Sequence, residues 1–341
     1  MRRHRIVLLA AVVLSACSLQ RRQPVQNSSP DDHMSHMSAA DLRAPMSGKS
    51  AAQSNSQGIA GLPASNTTAA ARLAASPRHA EWVKLAWSPG SKDSLMAWVV
   101  YPKSSAKAPV VVVVHEIFGL STWVRGVADQ VAADGFIAIA PDFLSRVRGG
   151  PSTTELPGDS ARKLIAGYTS ADQAAVIIAA ANYAMTLPAA EKRYGVIGYC
   201  WGGSATFSHA VNGGVMGFSG GVAFYGTPPT TRGTPATATT PAVTAGPIAD
   251  SLAKIKVPVM LLSGSKDARI GALMPSIDSM MKALGKNYSY TNYEGAIHGF
   301  LRAQDDPKAT RDEVEEAANL AATKDGWPKT IAFLKKNLGL K

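Results

Sequence analysis

Five consecutive valines at 110–114 constrain the fold more than any other stretch. A β-branched run with no polar alternation has no face to offer to water, so it belongs in a strand buried on both sides. Strands of that kind lie at the centre of a parallel sheet covered by helices. The rest of the chain reads accordingly. A helix is expected over 122–134, stopped by Gly135, with a strand at 136–140 closing on Pro141-Asp142. An Ala-rich helix at 170–187 precedes strands at 194–199 and 221–225. A strand at 257–262, a helix from Arg269 to about residue 284, a strand at 288–293 and one or two helices beyond 310 follow. Upstream, 81–88 and 95–101 read as strands flanking the turn-rich 89–93. This alternation predicts an α/β fold, a mostly parallel central sheet with helices on both faces. Active sites in such sheets lie beyond the carboxyl ends of the strands. Residues 145–160, rich in Gly, Pro and Ser, read as a variable loop, and the Thr/Pro/Ala run at 227–246 as a surface loop or lid.

Composition narrows the class. A chain of 341 residues with 46% hydrophobic content buries a substantial core. The net charge of +11 comes from scattered Lys and Arg with no aromatic-interleaved stripe, so no nucleic-acid partner is expected. The two cysteines, Cys17 and Cys200, are too few for a disulfide scaffold or a cysteine metal site, and no metal or organic cofactor is expected.

The N-terminus reads as a targeting segment. Arg2, Arg3 and Arg5 precede an apolar run at 6–14 that is too short to span a membrane. Leu14-Ser15-Ala16-Cys17 resembles the lipobox of bacterial lipoprotein signal peptides. That resemblance implies a lipid on Cys17, and Ser18 in place of Asp implies sorting to the outer membrane, facing the periplasm. Cleavage as an ordinary secretory signal is the alternative. The expected division is a signal at 1–16, a disordered tether at 17–80 and one folded domain at 81–341, acting as a monomer. His33, Met34, His36 and Met37 lie in the tether, as part of a polar linker or as a soft-metal site.

The chemistry centres on Gly198-Tyr199-Cys200-Trp201-Gly202-Gly203. It has the form of a G-x-S-x-G strand-to-helix turn with sulfur in place of the hydroxyl. The glycines are needed because the nucleophile's backbone is strained and a Cβ on either side would collide with it. The helix that follows aims its first N–H groups at the sulfur, which favours thiolate and developing oxyanions. Asp267 and His298 fall just past two later strands, completing the order nucleophile, acid, histidine. The imidazole would take the thiol proton, and the carboxylate would fix its tautomer. Taken singly, Asp267 also fits a turn aspartate and His298 a loop histidine. Glu116, just past the valine strand, is a site carboxylate or a strand-end ion-pair partner. His115 is expected to pack or to take a surface role rather than react.

From residue 81 onward the chain resembles the dienelactone hydrolase family of α/β-hydrolases. The resemblance rests on His115-Glu116-Ile117-Phe118-Gly119, on the Cys200 elbow, on Lys266-Asp267, and on Gly295-Ala296-Ile297-His298-Gly299-Phe300. It implies that Glu116 touches the resting thiol and gates its ionisation, and that the backbone N–H groups of Ile117 and Trp201 form an oxyanion hole. It also implies a substrate carboxylate held by Arg302, which otherwise fits a surface arginine. A second arginine is expected after Pro141: Arg162, or else Arg146 or Arg148. The sequence departs from the family at Ala268-Arg269-Ile270-Gly271 and in the 227–246 insertion, which bear on the pocket walls.

Sulfur limits the substrate. A thiolate attacks well but also leaves well, so the substrate's own leaving group must be better. The expected reaction is hydrolysis of a small activated ester or lactone through a thioester acyl-enzyme. A broad carboxylesterase and a non-catalytic envelope protein that keeps the fold are the alternatives.

Overall fold

The valine run becomes the centre of an eight-stranded sheet, with every residue of its strand buried. The computed structural model describes residues 58–87, 93–152, 156–234, 237, 242, 244–306, 308–310 and 312–340. The first elements are α1 (Ala69–Ala74), β1 (Ala80–Ala86), β2 (Ser94–Val100), β3 (Ala108–Val114), α2 (Thr122–Ala133) and β4 (Ile137–Asp142). Next come α3 (Ser145–Arg148), α4 (Gly158–Ile165), α5 (Ser170–Thr186), β5 (Ala190–Tyr199), α6 (Trp201–Asn212) and β6 (Phe218–Phe224). The last are α7 (Ala249–Leu252), β7 (Val259–Gly264), α8 (Ala268–Ala283), β8 (Tyr288–Tyr293) and α9 (Glu313–Leu338).

The strand order is β1-β2-β4-β3-β5-β6-β7-β8. β2 runs antiparallel to both its neighbours, β1 and β4. From β4 across to β8 every pairing is parallel. The carboxyl ends of β3, β5, β6, β7 and β8 therefore open on one edge, and every residue expected to react follows one of them. The long α5 starts at a reciprocal cap: Thr169 Oγ1 accepts the Asp172 N–H at 3.2 Å, and Asp172 Oδ2 accepts the Thr169 N–H at 3.0 Å.

Two expectations change. The domain does not begin at 81, because residues 58–79 are part of it. Leu62, Ala64 and Ala69 are buried in the main core, and α1 packs on α2. Burying a leucine side chain such as Leu62 stabilises by roughly 1.5–3 kcal/mol. The loop expected at 145–160 contains α3 and the start of α4. Beyond 310 the described residues form one helix, α9, within the expected one or two, and it carries Pro328 without breaking. The signal peptide, the lipobox at Cys17, the His33–Met37 cluster and parts of the 227–246 run lie outside the described residues.

Candidate active site

β5 ends at Tyr199, and Cys200 turns the chain directly into α6 with φ 55° and ψ −117°. That conformation costs a non-glycine residue roughly 1–3 kcal/mol and persists only where the surroundings over-determine it. Here they do. The Cys200 N–H donates to Phe224 O at 3.0 Å, and its carbonyl accepts from Gly203 and Ser204 N–H at 3.0 and 3.2 Å. The two flanking glycines answer to close packing. A Cβ on Gly198 would lie 2.0 Å from Gly202 O, and one on Gly202 would lie 2.4 Å from Val114 O. The elbow is thus wedged against the end of the valine strand, with the Cys200 side chain buried.

Asp267 and His298 reach the same place from β7 and β8. Asp267 divides its carboxylate between two tasks. Oδ1 caps α8 by accepting the Ile270 N–H at 3.2 Å, and Oδ2 accepts from His298 Nδ1 at 2.5 Å. The two loops are tied together by Lys266 N–H to Ala296 O at 2.9 Å and Gly295 N–H to Ser265 Oγ at 2.8 Å. Asn319 Oδ1, on α9, accepts the Ile297 N–H at 3.0 Å and holds the His298 turn from behind. His298 Nε2 is buried without an aligned hydrogen-bond partner among the described residues, while the Cys200 sulfur lies close enough to couple to the ring.

Burial opposes a charged imidazole, but the Asp267 carboxylate and then Cys200 override it and hold the His298 pKa well above its usual 6.5. Burial likewise works against ionised Asp267, yet His298 draws its pKa below the usual 3.8. The sign for stability follows. The histidine contribution is complete below its unfolded pKa and is lost as pH rises through the folded one. The aspartate contribution is complete above its unfolded pKa and is lost as pH falls through the folded one. The pair therefore stabilises most between about 3.8 and 6.5. Thermal unfolding of the native chain and His298→Gln across pH is expected to show the widest gap in melting temperature in that window, narrowing at alkaline pH. A gap that widens with rising pH would contradict the assignment.

Glu116 and Arg302 meet each other. Arg302 Nε lies 3.2 Å from Glu116 Oε2, both side chains are buried, and the guanidinium sits 5.8 Å from the centroid of the Phe118 ring. The ion-pair reading of Glu116 thus holds, and Arg302 is not a surface residue. Ile117 lies just past the end of β3, and Trp201 opens α6 directly after Cys200.

His115 packs, as expected. Its Nε2 accepts the Phe143 N–H at 3.1 Å, so Nδ1 carries the proton and donates to Glu116 O at 2.5 Å. Burial keeps the ring neutral by lowering its pKa. It stacks on Trp201 with centroids 5.9 Å apart, steadying the first residue after the sulfur.

Among the second-arginine candidates, Arg146 is engaged with Asp93 at 3.3 Å and lies over the Trp87 ring. Arg162, on α4, buries Nε and Nη2 with no acceptor among the described residues. One residue of the site went unread in the sequence. Tyr225 follows β6 with φ 40°, and its ring centroid lies 4.9 Å from that of His298. Its buried hydroxyl has no partner among the described residues, and burial, with Glu116 next, pushes its pKa well above 10. Its position at a carboxyl strand end was the only available signal. Among the described residues, no group of three His, Cys, Asp or Glu side chains gathers as a metal site would require.

Comparison with known proteins bears on this geometry. The sequence matches the dienelactone hydrolase family over residues 95–338. A Synechocystis protein named as a candidate carboxymethylenebutenolidase is 29% identical over 256 residues, covering 73% of this chain and 95% of that protein. A crystal structure titled as a candidate dienelactone hydrolase from Klebsiella pneumoniae superposes with TM-score 0.57 at 23% identity, covering 76% of this chain and 99% of that one. A dienelactone hydrolase-like promiscuous phosphotriesterase from metagenomic libraries gives TM-score 0.56 at 19% identity, covering 74% and 98%. These two structural likenesses speak to the fold, that of the α/β-hydrolases.

Proposed function

Because the chain belongs to the dienelactone hydrolase family and is a lactone or ester hydrolase, we propose that it works through a Cys200-His298-Asp267 triad and a thioester acyl-enzyme. The observation behind this reading is the strained Cys200 elbow beside a buried His298 that donates to Asp267 at 2.5 Å.

In this mechanism the thiol proton passes to His298 Nε2, and the sulfur attacks the acyl carbon. The Ile117 and Trp201 N–H groups hold the oxygen that becomes negative. Collapse breaks the bond to the leaving oxygen, which takes the proton from His298. Water, deprotonated by the same ring, then attacks the thioester, releasing the acid and restoring the thiol. Asp267 keeps the ring in the tautomer that points Nε2 at the sulfur. Enol lactones and aryl esters, whose oxygens leave better than a thiolate, are the fitting substrates.

A substrate carboxylate would compete with Glu116 for Arg302, with Arg162 as the second cation. Glu116, released from its ion pair beside Cys200, would then help ionise the thiol. The altered segment at Ala268-Arg269-Ile270-Gly271 and the 227–246 insertion favour a broader esterase as the second reading. Comparing rates on a dienelactone and on p-nitrophenyl acetate separates the two.

The decisive experiment is rapid quenching with p-nitrophenyl acetate, followed by peptide mass spectrometry. An acetyl group on the Cys200 peptide, cleared on longer incubation, is expected. Acylation only after denaturation would favour the non-catalytic envelope protein. The proposed lipid on Cys17, with an outer-membrane place facing the periplasm, is supported by sequence alone. Mass analysis of the mature N-terminus from cells tests it, and an unmodified Cys17 would refute it.

A further inference from the structure

We propose that residues 62–68 form a strap that positions Arg302 from outside the site, so that recognition of a substrate carboxylate depends on a segment lying before the sheet. Its functional meaning rests on the proposed function above, in which Arg302 holds a substrate carboxylate beside the triad. The strap falls outside the family match at 95–338, and the sheet itself starts only at Ala80.

Four residues within five positions make the contacts. The Asn66 N–H donates to Arg302 O at 2.9 Å. Pro63 O accepts from Gln304 Nε2 at 3.0 Å, and the same amide donates to Leu301 O at 2.9 Å. Thr67 Oγ1 donates to Asp305 Oδ1 at 3.1 Å. Ala64 O accepts from Trp123 Nε1 at 2.9 Å, and the Trp123 ring meets Tyr199, the residue before Cys200, with centroids 5.1 Å apart. The strap therefore joins the loop that follows His298 to the helix that backs the elbow.

It is also stiff. Ser65 Oγ accepts the Thr68 N–H at 3.3 Å, Ser65 O accepts the Ala69 N–H at 3.0 Å, and Arg72 folds back onto Leu62 O and Ile59 O. Beyond α1, which follows the strap, Arg78 fastens the chain to the buried Asp129, donating from Nε at 2.9 Å. Arg302 is thus gripped at both ends, its carbonyl by Asn66 and its guanidinium by Glu116 at 3.2 Å. Freeing the carbonyl lets the turn from Gly299 rotate, and the guanidinium moves with it. His298 has its own fastenings to Asp267 and, through Ile297, to Asn319, so carboxylate recognition is what the strap governs.

Two variants of the full chain test this. Asn66→Pro deletes the N–H that reaches Arg302 and puts proline at the first residue of a helical turn, where it is tolerated. Gln304→Leu removes the second contact and serves alone if the proline variant does not fold. Amide exchange over 298–304, read by mass spectrometry, is expected to speed up about tenfold in each while β3 and β5 stay as in the native chain. KM for a carboxylate-bearing dienelactone is expected to rise roughly tenfold, with kcat/KM on uncharged p-nitrophenyl acetate within about twofold of native. Native exchange and native KM in both variants would overturn the strap. If the native chain itself turns over neither ester, the triad reading fails, and the exchange measurement still decides whether the strap holds the loop.

Discussion

Cys200→Ala is expected to fold and to hydrolyse p-nitrophenyl acetate roughly 10⁴-fold or more slowly than the native chain. In the proposed mechanism the sulfur is the atom that forms the acyl bond, so its removal leaves that step without a nucleophile. Folding should survive because the change removes one small buried group, while the backbone turn is held by hydrogen bonds of the main chain to Phe224, Gly203 and Ser204. The variant also carries a second readout. Cys200 is one of the influences raising the His298 pKa, after Asp267. Removing it should bring the imidazole pKa down, measurable by proton NMR of the ring. Cys200→Ser should bind substrate but acylate poorly, because a hydroxyl gives up its proton to imidazole far less readily than a thiol. A Cys200→Ala protein retaining a tenth of native activity would place the nucleophile elsewhere.

Arg302→Met is expected to lower unfolding stability by about 3–5 kcal/mol, because it strips a buried carboxylate of its cation. Glu116 and Arg302 are both almost wholly enclosed, so water cannot make good the loss. Pairing the change with Glu116→Gln should recover most of that stability, since the double variant buries no lone charge. It should not recover binding of carboxylate substrates. Denaturant unfolding of the two single variants and the double variant gives the coupling directly. Single variants within about 1 kcal/mol of native stability would mean that the pair is solvated, and the gating role of Glu116 would go with it.

The site was more legible than its surroundings. Cys200, Asp267 and His298 were readable because each follows an apolar strand and sits beside glycine or turn residues, so local pattern and chemistry point to the same positions. Glu116 and Arg302 could be named individually, but their pairing could not, since they stand on different strand-end loops far apart in the chain. Tyr225 gave no motif, and only its backbone at φ 40° and its ring against His298 mark it out. The 58–79 arm failed for a different reason. Its Ala, Ser, Thr and Pro residues lack apolar periodicity, and its order comes from bonds to residues such as Gln304, 241 positions from Pro63.

By itself, then, the sequence determined the α/β class, the central place of the valine strand, and the order along the chain of Cys200, Asp267 and His298, the groups proposed to react. These follow from side-chain periodicity and from glycine spacing, which act over a few residues. Tertiary structure alone decided that the N-terminal arm joins the core, that Arg302 rests on Glu116, and that the ring on which His115 stacks is that of Trp201. Those outcomes depend on which buried donors and charges find partners across the fold, and a hydrogen bond or ion pair between distant residues leaves no mark on local pattern.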